Sequence, residues 1–206
     1  VMPTLPSDAK GLLLSSIFEP NPVIFLEHRW LHNIEGNVKV GDHRIPLGTA
    51  MNRRKGGDIT IVASSYMTVE AIHASNYLSN FGINCEIIDL LTIKPVDWKT
   101  VYNSVEKTGR ILAVDSGYFT GSIASEVICN TVLNKFDNLR APPAKLAMPD
   151  VPEPTSQALT KGFYIRASNI VEKVLDVCGI EKKSRPKPFR DPSTHDTPGD
   201  WFKGPF

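Results

Sequence analysis

Residues 58–90, DITIVASSYMTVEAIHASNYLSNFGINCEIIDL, contain two short β-branched runs on either side of one helical segment, and that order decides the fold. Asp58 to Ser64 and Asn84 to Leu90 are strand-sized and bounded by polar residues or glycine, the pattern of buried strands. Between them Met67, Ala71, Ala74 and Leu78 recur on one helical face, and Gly82 supplies the stop. Two buried strands joined through a helix make a right-handed crossover and hence a parallel pair.

The same alternation continues outward. Arg110 to Ser116, Ala144 to Asp150 and, upstream, Val23 to Glu27 read as further strands. Trp98, Val101, Tyr102 and Val105 predict a helix with Asp97 as N-cap and Gly109 as the residue that ends it. Another helix is expected from Ser122 to Lys135, burying Ala124, Val127, Ile128 and Thr131, and a last one after Ser168 with Val171, Val174, Leu175 and Cys178, stopped by Gly179. The expected fold is α/β: a three-layer α/β/α sandwich around a five-stranded, mainly parallel sheet. Residues 28–57 break the rhythm and predict a long loop followed by an edge strand near Ile45 to Met51, with an antiparallel orientation left open. The chain divides into a connector (1–20) in which Ser7 caps a helix carrying Ala9, Leu12, Leu13 and Ile17, a main domain (21–180), and a tail (181–206). The tail's prolines at 186, 188, 192, 198 and 205 rule out helix or central strand, while Phe189, Trp201, Phe202 and Phe206 favour docking along a surface over disorder.

Composition excludes several functions. With 23 basic and 22 acidic residues and no basic stripe, the chain has no electrostatic reason to bind nucleic acid or an anionic membrane. Its longest apolar runs fall far short of the ~20 residues of a membrane span. Cys85, Cys129 and Cys178 have neither disulfide-framework nor zinc spacing and read as buried small side chains in a reducing compartment: the cytoplasm, or a mitochondrial matrix.

Six stretches carry a family resemblance: PTLPSDAKGLLLSSI from Pro3, NPVIFLEHRWLH from Asn21, RIPLGTA from Arg44, CEIIDLLTIKPVD from Cys85, VDSGYFTGSIASEV from Val114 and the weaker APPAKLAMPDVPEP from Ala141. In this order and spacing they resemble the carboxy-terminal half of 2-oxo acid dehydrogenase β subunits of the pyruvate and branched-chain type, within the transketolase C-terminal domain family. The resemblance implies an enzyme in which an upstream pyrimidine-binding domain activates thiamine diphosphate and a separate α subunit or domain holds the diphosphate through magnesium. The intact enzyme would decarboxylate a 2-oxo acid and pass the acyl group to lipoyl, with a lipoyl acyltransferase as a further partner. The chain itself would be a subunit-association domain, catalytically silent, binding neither thiamine diphosphate nor magnesium alone, and is expected to form a homodimer. Two other readings stand beside it: a transketolase-type enzyme acting on sugar phosphates, and a free-standing module binding a small anion near Gly117 and Gly121.

Two groups of residues are candidates for an interface or an active-site entrance. Glu27, His28 and His32 follow the first expected strand, and a histidine beside a carboxylate can exchange protons near neutral pH. Asp115, Gly117, Gly121 and Glu126 lie at a strand end that opens a helix, where open α/β sheets place ligands. Each has a plainer reading, as an interface ion pair for the first group and a tight turn for the second. Asp89 and Asp97 bracket a proline turn and are assigned to a strand end and a helix cap rather than to paired catalysis. Arg53, Arg54 and Lys55 are assigned to the solvated turn of an edge hairpin, with phosphate steering as the alternative, and His43 and His73 to solvent. No histidines have metal-ligand spacing with an acidic partner.

Overall fold

The computed structural model describes residues 1–191, 193–199 and 202–204. Two strands from the opening stretch, β2 (Ile59–Ala63) and β3 (Cys85–Asp89), are wholly buried and pair in parallel, Ile59 opposite Cys85 through Ala63 opposite Asp89. The crossover helix α2 (Tyr66–Ser79) connects them. With β1 (Met51–Arg54), β4 (Ile111–Tyr118) and β5 (Ala144–Met148) they form a five-stranded sheet in the order β1-β3-β2-β4-β5. All pairs are parallel except β1 with β3, so the edge strand whose orientation was open is antiparallel.

Both faces are covered. Ile59, Ile61, Cys85, Ile87, Leu112 and Val114 pack under α2 and α5 (Ala167–Val177), through Met67, Ala74, Leu78, Ile170 and Val174. Val62, Ile88, Ile111 and Ala113 point to the other side, against α3 (Trp98–Thr108) and α4 (Ile123–Lys135). Alternate residues of one strand thus serve opposite layers, the period of two that sandwiches a sheet between helices. The end signals act as expected: the Asp97 carboxylate accepts the Thr100 N–H at 3.1 Å, and Gly109 ends α3 with φ of 69°.

One expected strand is not in the sheet. Val23 to Glu27 bonds Val1 instead: the Val1 amine donates to Ile24 O and Leu26 N donates to Val1 O, while the neighbouring Met2 N donates to Leu91 O. The sheet's fifth place goes to β1, which starts only at Met51, where the piece around Ile45 to Met51 was expected to be strand. Its Arg53 is not on a solvated turn. The guanidinium is buried between Asp89, at 2.8 Å, and Asp8 of α1 (Pro6–Phe18). Arg54 bonds Asn76. Ser7 does not cap α1 either. Leu5 holds the cap position, Pro6 opens the helix, and the Asp8 carboxylate takes the Leu5 N–H at 2.8 Å.

Other departures are smaller. Cys85 is buried as expected, but Cys129 is exposed and Cys178 half-buried. His43 and His73 are half-buried, His43 lying 3.4 Å from the Ser7 hydroxyl. No helix among the described residues is long and apolar enough to cross a membrane.

Candidate functional site

A cleft of about 790 Å³ opens at the carboxyl ends of the parallel strands. Ser116 enters it from β4, Met148 from the end of β5, and Tyr66 and Met67 from the first turn of α2. The chain leaves β2 toward β3 on one side while β4 lies on the other, so the cleft sits at the topological switch point where open α/β sheets bind ligands. Two loops complete its walls, one carrying Glu27 to Trp30 and one running from Glu153 to Ile165.

Glu27 and His28 therefore reach a concave site, and they also line a hollow of about 320 Å³ on the other side of their loop, where His32 lies with Thr4, Leu5 and Leu31. The His28 ring stacks on Tyr66 at 5.1 Å and meets Trp30 edge-on at 5.6 Å, and its Nδ1 accepts the Trp30 N–H at 3.3 Å. Burial, helped by the positive field of His32 and opposed by Glu153, lowers its pKa to about 4. His28 is thus a neutral acceptor at pH 7, not a group poised to trade protons there.

Behind His28 lies a buried polar chain. Tyr66 OH donates to Glu70 Oε1, Ala167 N–H donates to Glu70 Oε2 at 2.6 Å, and Arg166 Nε reaches Glu70 Oε1 at 3.3 Å. Burial raises the Tyr66 and Glu70 pKa values, for Glu70 against the pull of Tyr66, Arg166 and the Ala167 N–H. At the rim, Tyr164 OH donates to Glu153 at 2.5 Å, and burial together with that carboxylate pushes its pKa up to about 12. Tyr66, Glu70, Tyr164 and Arg166 escaped the sequence reading. The one available signal is Glu70, a carboxylate set among Met67, Ala71 and Ala74 on the buried face of α2.

The second candidate group does not join this site. Asp115 accepts the Gly117 N–H at 2.9 Å and the Ala124 N–H at 3.4 Å, closing the turn from β4 into α4. Gly121 occupies that turn with φ of 74°, and Glu126 is exposed and bonded to Asn130. Only Ser116 of this segment faces the cleft. Among the described residues no group of three or more His, Cys, Asp and Glu side chains is placed to hold a metal ion.

Comparison with known proteins agrees with this architecture. The chain is 41% identical over 179 residues to the pyruvate dehydrogenase E1 component subunit beta of Rhizobium meliloti (strain 1021), covering 86% of this chain and 39% of that protein. It is 38% identical to the subunit of the same name from Rickettsia felis, over 86% of this chain and 55% of the relative. It is also 38% identical to the acetoin:2,6-dichlorophenolindophenol oxidoreductase subunit beta of Cupriavidus necator, over 82% and 50%. The chain thus spans about two fifths to somewhat over half the length of these relatives. A solved structure described as a split gene transketolase, inactive beta4 tetramer, superposes with a TM-score of 0.69 at 22% identity, over 88% of this chain and 58% of that one, and shows the shared fold. The family model for the transketolase C-terminal domain matches residues 48–170, from just before β1 into α5, and the chain belongs to that family.

Proposed function

We propose that this chain is the subunit-association domain of the β subunit of a thiamine-diphosphate-dependent 2-oxo acid dehydrogenase, forming a homodimer and catalytically silent alone. The observation that carries the reading is the 41% identity to a pyruvate dehydrogenase β subunit over 86% of the chain. On this reading a pyrimidine-binding domain and an α subunit hold thiamine diphosphate and its magnesium, the cofactor supplying the electron sink for decarboxylation. The acyl group passes to lipoyl on an acyltransferase partner. The chain's own part is to present the strand-end cleft beside that centre, with Glu27, neutral His28 and Trp30 on the approach and Tyr66–Glu70 fixing the wall behind them. The exposed apolar side chains of Ile24, Leu26, Phe119, Leu133 and Phe136 support association with other subunits. The sugar-phosphate alternative gains nothing from the transketolase superposition, which speaks to fold alone.

Calorimetric titration of thiamine diphosphate with magnesium into the chain should give no saturable heat, and the chain should not consume pyruvate. Both properties should return when the chain is joined to a β-type pyrimidine domain and mixed with its α subunit. Stoichiometric cofactor binding or 2-oxo acid turnover by the chain alone would overturn the proposal. Saturable binding of inorganic phosphate in the absence of any partner would favour the small-anion module.

A further inference from the structure

The tail is fastened to the domain at successive points. Arg185 bonds Glu172 and Asp176 at 3.0 and 2.7 Å, Tyr77 OH donates to Lys187 O, and the Phe189 ring meets Tyr77 at 5.1 Å. Asp191 then receives both the hydroxyl and the N–H of Ser168, at 2.6 and 3.2 Å, at the start of α5.

Beyond this point the path turns on one side chain. Arg166 has five N–H donors, and all five are used. Nε faces Glu70; Nη1 donates to Thr194 O and Thr197 O, both at 2.8 Å; Nη2 donates to Ser193 Oγ at 2.8 Å and Pro198 O at 3.2 Å. Four of the five acceptors belong to the tail, and the Arg166 side chain is only 4% exposed. A planar fork filled this completely is a built receptor for one turn of chain rather than a surface contact.

The described tail residues in and beyond that turn touch both walls of the cleft. His195 Nε2 lies 2.9 Å from Gln157 O and 3.1 Å from Thr160 Oγ1, on the loop that forms one wall. Asp196, Thr197 and Phe202 line the cleft itself, and Lys203 N reaches Asn33 Oδ1 at 3.4 Å beside the opposite loop.

We propose that residues 193–199 and 202–204 are a strap across the strand-end cleft, and that Arg166 is the positioning residue that locks it. Because Arg166 also holds Glu70, which holds Tyr66 under His28, the lock and the ligand-facing wall share one hydrogen-bonded chain. The strap supplies an aromatic and an acidic surface, Phe202 and Asp196, to whatever enters the cleft. It stands whichever acyl substrate the intact enzyme takes.

The test is hydrogen–deuterium exchange by mass spectrometry on the full chain. In Arg166→Lys the ammonium keeps a charge for Glu70 but cannot serve four acceptors spread around a plane. Peptides spanning 193–199 should exchange at least about tenfold faster than in the wild type, while the α2 core stays protected. A second variant, ending at Asp191, removes the strap and leaves Arg166 intact. Its peptides covering 27–31 and 153–160 should lose protection, whereas the far face, α3 and α4, should not change. Wild-type protection of 193–199 in Arg166→Lys would overturn the lock. Unchanged protection of both cleft loops in the shortened chain would overturn the strap. If Arg166→Lys does not fold, Ser193→Ala with Thr197→Pro, which leaves the domain's side chains untouched, decides the lock by the same peptide. None of these readouts depends on catalysis, so they can fail while the association-domain reading stands.

Discussion

Replacing Arg53 by methionine should be among the most damaging single changes to this chain. Arg53 on β1 is 9% exposed and stands between Asp8 of α1 and Asp89 of β3, which are 3% and 0% exposed. Methionine fills a similar volume but leaves two buried carboxylates facing one another without a cation. Breaking a buried ion pair on one side costs about 3–5 kcal/mol, a large part of the roughly 5–15 kcal/mol of a typical domain. The expected loss in urea unfolding at pH 8 is therefore about 3–5 kcal/mol. Burial already raises the Asp89 pKa to about 6, above its ordinary 3.8, with Arg53 pulling the other way. As pH falls through 6 the folded state takes up a proton that the unfolded state takes up only near 3.8, so this residue's contribution to stability increases on acidification and levels off below about pH 4. Losing Arg53 raises the folded pKa further. The Arg53→Met defect should then be greatest above pH 7 and shrink toward pH 5. The triple variant Asp8→Asn, Arg53→Met, Asp89→Asn, with no buried charge, should recover most of the loss. A single variant within 1 kcal/mol of the wild type at pH 8, or a defect that does not change with pH, would refute the reasoning.

Further outcomes follow from other parts of the structure. His28 titrates the opposite way: its folded pKa of about 4 lies below its ordinary 6.5, so its contribution is intact above 6.5 and is lost as pH falls toward 4. Urea unfolding of His28→Gln should accordingly fall less steeply between pH 7 and 4.5 than that of the wild type. A Cβ on Gly56 would run into the backbone of Asn84 and Cys85, whereas one on Gly57 meets nothing. Thermal unfolding should show Gly56→Ala destabilised by about 1–3 kcal/mol and Gly57→Ala within about 0.5 kcal/mol of the wild type. Thr60 Oγ1 bridges the hydroxyls of Ser104 and Thr108 at 2.7 and 2.8 Å in a buried contact between β2 and α3. Thr60→Val should cost about 1–3 kcal/mol, at about 0.5–1.5 kcal/mol for each of the two buried bonds lost, more than the single bond lost in Ser15→Ala on the half-buried face of α1.

The sheet's centre was legible because β2, β3 and the first half of β4 are buried and rich in Ile, Val and Leu, a signal that survives without knowledge of neighbours. The edge was not. A run such as Val23 to Glu27 has strand composition, but whether it joins a sheet depends on which edge is free, and Val1 bonds its Ile24 and Leu26 instead. Met51 to Arg54 wins the edge partly through Arg53, whose polarity argues for solvent until Asp8 and Asp89 are seen around it. The cleft was half legible. Glu27 and His28 were found because they end an apolar run, whereas Tyr66, Glu70 and Arg166 come from two helices about a hundred residues apart, and sequence spacing cannot show that they meet. Asp115 and Gly121 carry the composition of a ligand loop, yet the Asp115 carboxylate is spent closing the turn into α4 and Gly121 supplies only its positive φ.

Arg166 grips its turn mainly through peptide oxygens: three of the four atoms it takes from the carboxy-terminal residues are carbonyls, and the fourth is a serine hydroxyl. Such a grip reads the course of the backbone and is nearly blind to which side chains decorate it. The strap residues could therefore drift far in sequence while keeping their grip. Two proteins could share this closure with no recognisable identity beyond α5, provided each kept a buried guanidinium at the start of that helix and a chain able to make the turn.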